Sequence, residues 1–145
     1  MSLFLCSIDL FSSFYNLKQN NIQMENTDLV VKATEAAVNF DYKQEDMGAY
    51  YDSFDPAVYD EMLVQINYKD HTEIVKAVSE LEPFSADNCD RSTIAIMDIG
   101  AGTGRCGEEL MKHGFKTIDA VDPSKDFLVE CTKRGYRSTH HMYLG

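Results

Sequence analysis

Apolar residues recur at two different spacings along this chain, and the change from one to the other divides it. From Thr27, which can cap a helix, Leu29, Val30, Ala33, Ala36 and Ala37 fall at helical spacing. A second helical segment is predicted around Glu45 to Phe54. Pro56 stands where the first turn of a third would be, ahead of Val58, Tyr59, Met62, Leu63 and Ile66. Ile74, Val75, Val78 and Leu81 share one face of a helix predicted from Asp70 to about Leu81, ended by Glu82-Pro83. Residues 84–92 are polar and turn-like. The period then shortens: residues 93–97 form a β-branched apolar run ending at Asp98, which reads as a buried parallel strand. A glycine loop follows, then a helix from about Arg105 to His113 stopped by Gly114. A second strand over residues 117–121 ends at Asp122, a helix runs from Pro123 to about Arg134 before Gly135, and a third strand is predicted over residues 136–144.

Strand, helix, strand, helix, strand means an α/β architecture. The three strands are expected side by side in a parallel sheet, in the order 3-2-1, with right-handed crossovers. The chain thus divides into a leader of residues 1–23, a helical lead-in of residues 24–83 and a sheet domain of residues 84–145. The leader, beginning MSLFLCSIDLFSSFYN, is apolar. It lacks a positive n-region and a cleavage site, is interrupted by Asp9, and is too short to span a bilayer. It is expected to be poorly ordered and dispensable, so that a chain starting at Met24 melts like the whole.

Charge and composition narrow the partners. A net charge of −11 with no basic stripe disfavours nucleic acid and anionic membrane. The cysteines Cys6, Cys89, Cys106 and Cys131 show no CxxC spacing, and the adjacent pair His140–His141 would point to opposite faces of a strand, so no metal is expected. Free thiols suit a reducing, cytoplasmic setting.

The candidate chemistry lies in Asp98-Ile99-Gly100-Ala101-Gly102-Thr103-Gly104, at the carboxyl end of the first strand, where open α/β sheets bind ligands. Glycines let the backbone approach a ligand that a Cβ would block. Asp122 ends the neighbouring strand and can accept hydrogen bonds from two ribose hydroxyls. A dinucleotide fingerprint started at Gly100 would need a glycine where Arg105 stands, and Asp98 would face a pyrophosphate with another anion. An NAD(P)-dependent oxidoreductase is therefore the weaker reading. S-adenosylmethionine has no phosphate and carries an ammonium and a sulfonium, which an acid at the loop entrance suits.

IMDIGAGTGRCGEEL followed by IDAVDPSKDFL resembles motif I and the acidic second strand of class I S-adenosylmethionine-dependent methyltransferases. YYDSFDPAVYDEM resembles the tyrosine-rich lead-in of the methyltransferase-like proteins named for the Williams–Beuren critical region. The likeness runs from about Ala49 to the end. It implies a Rossmann-like sheet and, in the complete enzyme, methyl transfer to an unidentified acceptor. It also implies that Asp98, Gly100, Gly102 and Gly104 line the methionine end of the cofactor, that Asp122 holds the ribose, and that Pro123 and Ser124 approach the adenine. Tyr51 and Tyr59 either cover the cofactor or pack a capping helix. The family's sheet continues past its third strand, and the strand that pairs with the first on its other side has no counterpart after residue 145. The third strand's end, His141-Met142-Tyr143, offers no carboxylate, and no catalytic acid or base is assigned. The chain is therefore expected to be a truncated domain, inactive alone. Its first strand, with Ile94 and Ile96, would present an open edge for self-association or for service as an interaction module. A carboxylate at Asp122 facing that half-open cleft should matter little to folding.

Overall fold

The computed structural model describes residues 2–6 and 44–143. The helix predicted over residues 27–37 lies outside them. Helices α1 (Gln44–Asp52), α2 (Pro56–Gln65) and α3 (Asp70–Glu80) lead into the sheet. Helix α2 starts where local chemistry satisfies its first amides. The Asp55 carboxylate accepts from the N–H groups of Ala57 and Val58 at 2.9 and 3.2 Å, and Pro56 occupies a first-turn position that needs no donor.

The three expected strands are present, with α4 (Arg105–Lys112) and α5 (Lys125–Lys133) between them. They are β2 (Ala95–Ile99), β3 (Thr117–Asp122) and β4 (Ser138–His141), all parallel, with β3 in the middle of the three as expected. Two boundaries move inward. Thr93 belongs to a short 3-10 turn, Arg91–Thr93, that Asp90 caps through the Ser92 N–H at 3.1 Å, so the chain is still turning there. Gly135, at φ +98°, turns the chain after α5, and the Tyr136 side chain goes into the core before β4 begins.

The leader requires a correction. Ser2–Cys6 forms β1, a fourth parallel strand paired with β2 from Ser2 opposite Ala95 to Cys6 opposite Ile99. The sheet order is β1-β2-β3-β4. The edge of β2 expected to be open is therefore covered, and the template assumed for self-association through it is filled by the chain's own residues. The physical reason is the one that made the open edge a liability: unpaired backbone groups beside an apolar strand gain from any partner strand, and SLFLC supplies one. Deleting residues 1–23 is now expected to lower the melting temperature by several degrees, since a loss of about 1 kcal/mol already shifts a domain of this size by roughly 3–5 °C. An unchanged melting curve would show that β1 contributes nothing to the folded state.

Lead-in and sheet share a core. Val75 and Val78 of α3 pack in the same cluster as Ile94, Ile96, Leu110, Phe115, Ile118 and Leu128. A second cluster joins Tyr59, Met62, Leu63 and Ile66 to Phe127 of α5, with Tyr51, Phe54 and Tyr68 against it. Among the described residues no helix is long and apolar enough to cross a membrane.

Candidate functional site

The carboxyl ends of β2 and β3 meet at the glycine loop. The N–H groups of Gly100 and Ala101 both donate to the carbonyl of Val121, at 2.8 and 3.1 Å, which ties the loop to β3. Gly102 has φ +54°, and no atom of the described residues lies within 4 Å of where its Cβ would stand. That combination makes a bare stretch of backbone with room beside it, which is what close approach by a ligand requires.

Asp98 is fully buried. Its Oδ2 accepts the Tyr136 hydroxyl at 2.5 Å, while its Oδ1 is buried without a partner among the described residues. Burial pushes its carboxyl up to about 6; the Tyr136 hydrogen bond opposes this and the charge of Asp122 adds to it. The contrast with Asp119, also in a strand and buried, is instructive. Asp119 accepts from Arg137 Nε at 2.8 Å and from the Ser138 hydroxyl at 2.7 Å, and these bonds hold its carboxyl below the ordinary value. Asp119 is satisfied by the fold; half of Asp98 is not.

Asp122 is buried as well, which corrects the expectation that its removal would leave folding untouched. Its Oδ2 accepts the Gly102 N–H and its Oδ1 the Ser124 N–H, each at 2.8 Å, so it pins the loop and the turn after β3 together. Burial raises its carboxyl despite both bonds. Each carboxylate oxygen keeps a further lone pair for another donor.

Ser124 caps α5 through the Phe127 N–H at 3.2 Å and donates its hydroxyl to Asp52 of α1 at 2.6 Å. The carbonyl of Pro123 lies 2.9 Å from His141 Nε2. It also sits 2.6 Å from where a Cβ on Gly48 would be, so α1 approaches this turn closely. Tyr59 and Tyr51 stack around Phe127, with ring centroids 4.8 and 5.8 Å from it. Tyr59 is buried, and its hydroxyl is pushed well up by that burial, then by the neighbouring Tyr51 and Tyr68 and the carboxylates of Asp122 and Asp60. The structure therefore gathers Asp98, Gly100, Gly102, Gly104, Asp122, Pro123 and Ser124 at one sheet edge. It packs the tyrosine-bearing helices against α5 beside that edge.

Sequence reasoning missed several members of this arrangement. Asp60 of α2 accepts the Thr103 hydroxyl at 2.5 Å and pairs with Arg134, which also reaches Glu108 at 2.5 Å, so the lead-in is fastened to the glycine loop. Arg105 places Nη2 3.5 Å from His71 Nε2, and its Nη1 is buried without a partner among the described residues. Tyr136 bridges Asp98 and the Gly107 N–H, the latter at 2.8 Å. None of these follows from local periodicity. The one available signal was Arg105, conspicuous as the residue that breaks the dinucleotide fingerprint. Among the described residues no group of three or more His, Cys, Asp or Glu side chains is placed to hold a metal ion.

A family model described as AdoMet dependent proline di-methyltransferase matches residues 39–143, more than half of the chain. Neither a curated protein nor a solved structure matches it. The family match supports a methyltransferase; the narrower likeness to the Williams–Beuren proteins rests on the lead-in residues alone.

Proposed function

Because the chain belongs to the AdoMet-dependent proline di-methyltransferase family, we propose that its glycine loop binds S-adenosylmethionine for methyl transfer to an amine. The observation that carries this reading is Asp98, a fully buried carboxylate with one oxygen unpartnered at the start of the loop. A buried anion without a partner is costly, and a cationic group is what relieves it. An ammonium meets that need; a pyrophosphate aggravates it. At the other end of the loop, Arg105 Nη1 is a buried cationic donor with no acceptor. An amino-acid moiety carries both complementary charges, and we assign its ammonium to Asp98 and its carboxylate to Arg105. Asp122 holds the ribose hydroxyls on its remaining lone pairs, Pro123 and Ser124 border the adenine, and Tyr51 and Tyr59 close the site from the lead-in. When bound, the cofactor supplies a methyl group on a positively charged sulfur.

The family's description points to proline as the acceptor. A proline nitrogen inside a peptide bond has no free lone pair, so two methyl groups can be added only to free proline or to a proline that begins a chain. The acidic surface, at net charge −11, suits such a cation. The cofactor reading is tested by calorimetric titration with S-adenosylmethionine, S-adenosylhomocysteine and NAD; tighter binding of NAD overturns it. The acceptor reading is tested with labelled S-adenosylmethionine and three acceptors: free proline, a peptide beginning with proline, and the same peptide acetylated. Label in the acetylated peptide, or in none of the three, overturns that reading.

Asp122→Ala is expected to weaken S-adenosylhomocysteine binding by roughly 2–4 kcal/mol through the lost charge-assisted bonds. It should also lower stability by about 1–3 kcal/mol, because the amides of Gly102 and Ser124 lose their acceptor. Denaturant titration and calorimetry on one preparation separate the two effects. Full affinity in the folded variant would move the ribose site elsewhere.

A further inference from the structure

We propose that Tyr136 is a positioning residue for the cofactor: its hydroxyl fixes which oxygen of Asp98 is left to meet the ligand's ammonium, so that proton and ammonium compete for one atom. This rests on the reading of Asp98 given above and deepens it.

A phenol hydroxyl has one proton to give and lone pairs to receive. The Gly107 N–H can only donate, and it donates to the Tyr136 oxygen at 2.8 Å. The hydroxyl proton is therefore committed to the other neighbour, Asp98 Oδ2, at 2.5 Å. Oδ2 must remain an acceptor for that bond to exist, so a proton arriving at Asp98 goes to Oδ1. Oδ1 is also the oxygen buried without a partner. The ring has no freedom to turn away, since it fills the space that a Cβ on Gly104 or Gly107 would take, its Cε2 lying 2.9 Å from the first such position and its Cζ 2.2 Å from the second. Tyr136 is itself buried, and burial together with the charge of Asp98 drives its hydroxyl far above the ordinary phenol range, so it stays a donor at every accessible pH.

The groups facing Asp98 from each packed element are few. Tyr136 lies after α5, Asp122 at the end of β3, Cys106 on α4 and Cys131 on α5. Both thiols are pushed up by burial, Cys131 to about 12, and remain neutral. Asp122 is the one other anion among them, and its two oxygens already accept backbone amides. The proposal titrates Asp98; Asp122, which burial also raises, is told apart from it by Asp98→Asn, in which any acid limb that remains belongs to Asp122.

The experiment is calorimetric titration of S-adenosylhomocysteine into the full chain between pH 5 and 8, in buffers of different ionisation enthalpy, for the wild type, Tyr136→Phe and Asp98→Asn. Wild-type affinity is expected to fall below about pH 6, with close to one proton released per ligand bound at the acid end. Tyr136→Phe removes the bond that favours the ionised carboxylate, so its acid limb should move up by roughly one pH unit and proton release should persist towards neutral pH. Asp98→Asn should bind weakly with no acid limb. Asp98→Asn binding like the wild type overturns the reading of the cofactor site and this proposal with it. A weakened Asp98→Asn beside an unmoved limb in Tyr136→Phe overturns the role of Tyr136 alone. Should Tyr136→Phe fail to fold, a fluorinated tyrosine at position 136 keeps the shape and strengthens the donor. Its limb should move to lower pH, and an unmoved limb overturns the proposal.

Discussion

Gly107→Ala is expected to cost about 3 kcal/mol or more of stability and to abolish measurable cofactor binding. The added Cβ would stand 2.2 Å from Tyr136 Cζ and 2.3 Å from its oxygen. The ring cannot yield cheaply, because its Cε2 also lies against Gly104 and because its hydroxyl is held by Asp98. Overpacking a dense core typically costs 1–3 kcal/mol. Here the displacement also breaks two buried hydrogen bonds and leaves both Asp98 oxygens without a donor, which adds about as much again. In a helix interior Ala normally outranks Gly by about 1 kcal/mol, so propensity argues for the opposite sign. Denaturant unfolding decides between the two. A Gly107→Ala chain at least as stable as the wild type would mean that Tyr136 does not occupy the position described.

Asp98→Asn is expected to pull stability and binding in opposite directions. In the folded chain the Asp98 carboxyl is raised to about 6, against an ordinary value near 3.8. The folded state therefore holds a proton more tightly than the unfolded state. The resulting stabilisation is complete below about pH 4 and is lost as pH rises through 6. At neutral pH this burial costs about 3 kcal/mol relative to a carboxylate with the ordinary value. Replacing it with Asn removes the charge and keeps an acceptor for Tyr136. The variant should gain about 1–3 kcal/mol at pH 7 in the absence of ligand, and its stability should lose the rise between pH 6 and 4 that this one group contributes. Affinity for S-adenosylhomocysteine should fall by at least about tenfold. Urea titrations at pH 4.5 and 7, paired with calorimetry, read all three quantities. Destabilisation at pH 7 with unchanged affinity would mean that Asp98 serves the fold and not the ligand.

The parts of this arrangement that were legible in the sequence are those that local periodicity and turn chemistry control. The β-branched run before Asp98, the glycines after it and the strand-ending Asp122 declared a parallel pair with a ligand edge. Pro56 declared the start of α2. What stayed hidden depends on residues far apart in the chain. Tyr136 looked like the first residue of a strand, because an aromatic after a glycine reads the same whether it points along a sheet or into a core. Asp60 has no local signal that marks it, because its partners Thr103 and Arg134 come from elsewhere in the chain. Asp122 was placed correctly, but its burial was invisible, because the lead-in that covers the sheet edge is itself a long-range partner. The first strand was misread for the same reason: SLFLC is apolar in any context, and only its pairing with residues 95–99 gives it a place.

That pairing has a consequence for how the protein is made. Ser2 and Ala95 lie roughly ninety positions apart, so at ordinary translation speeds of 5–20 residues per second β1 emerges roughly 5–20 s before the strand it will join. The β2, β3 and β4 strands are separated only by single helices and can associate almost as soon as they are synthesised. The N-terminal segment must wait for them, apolar and unpaired, and its docking closes the longest loop in the sheet. Ribosome-bound chains arrested before β2 should therefore engage apolar-binding chaperones through residues 2–6, and release from those chaperones should coincide with synthesis of residues 95–99.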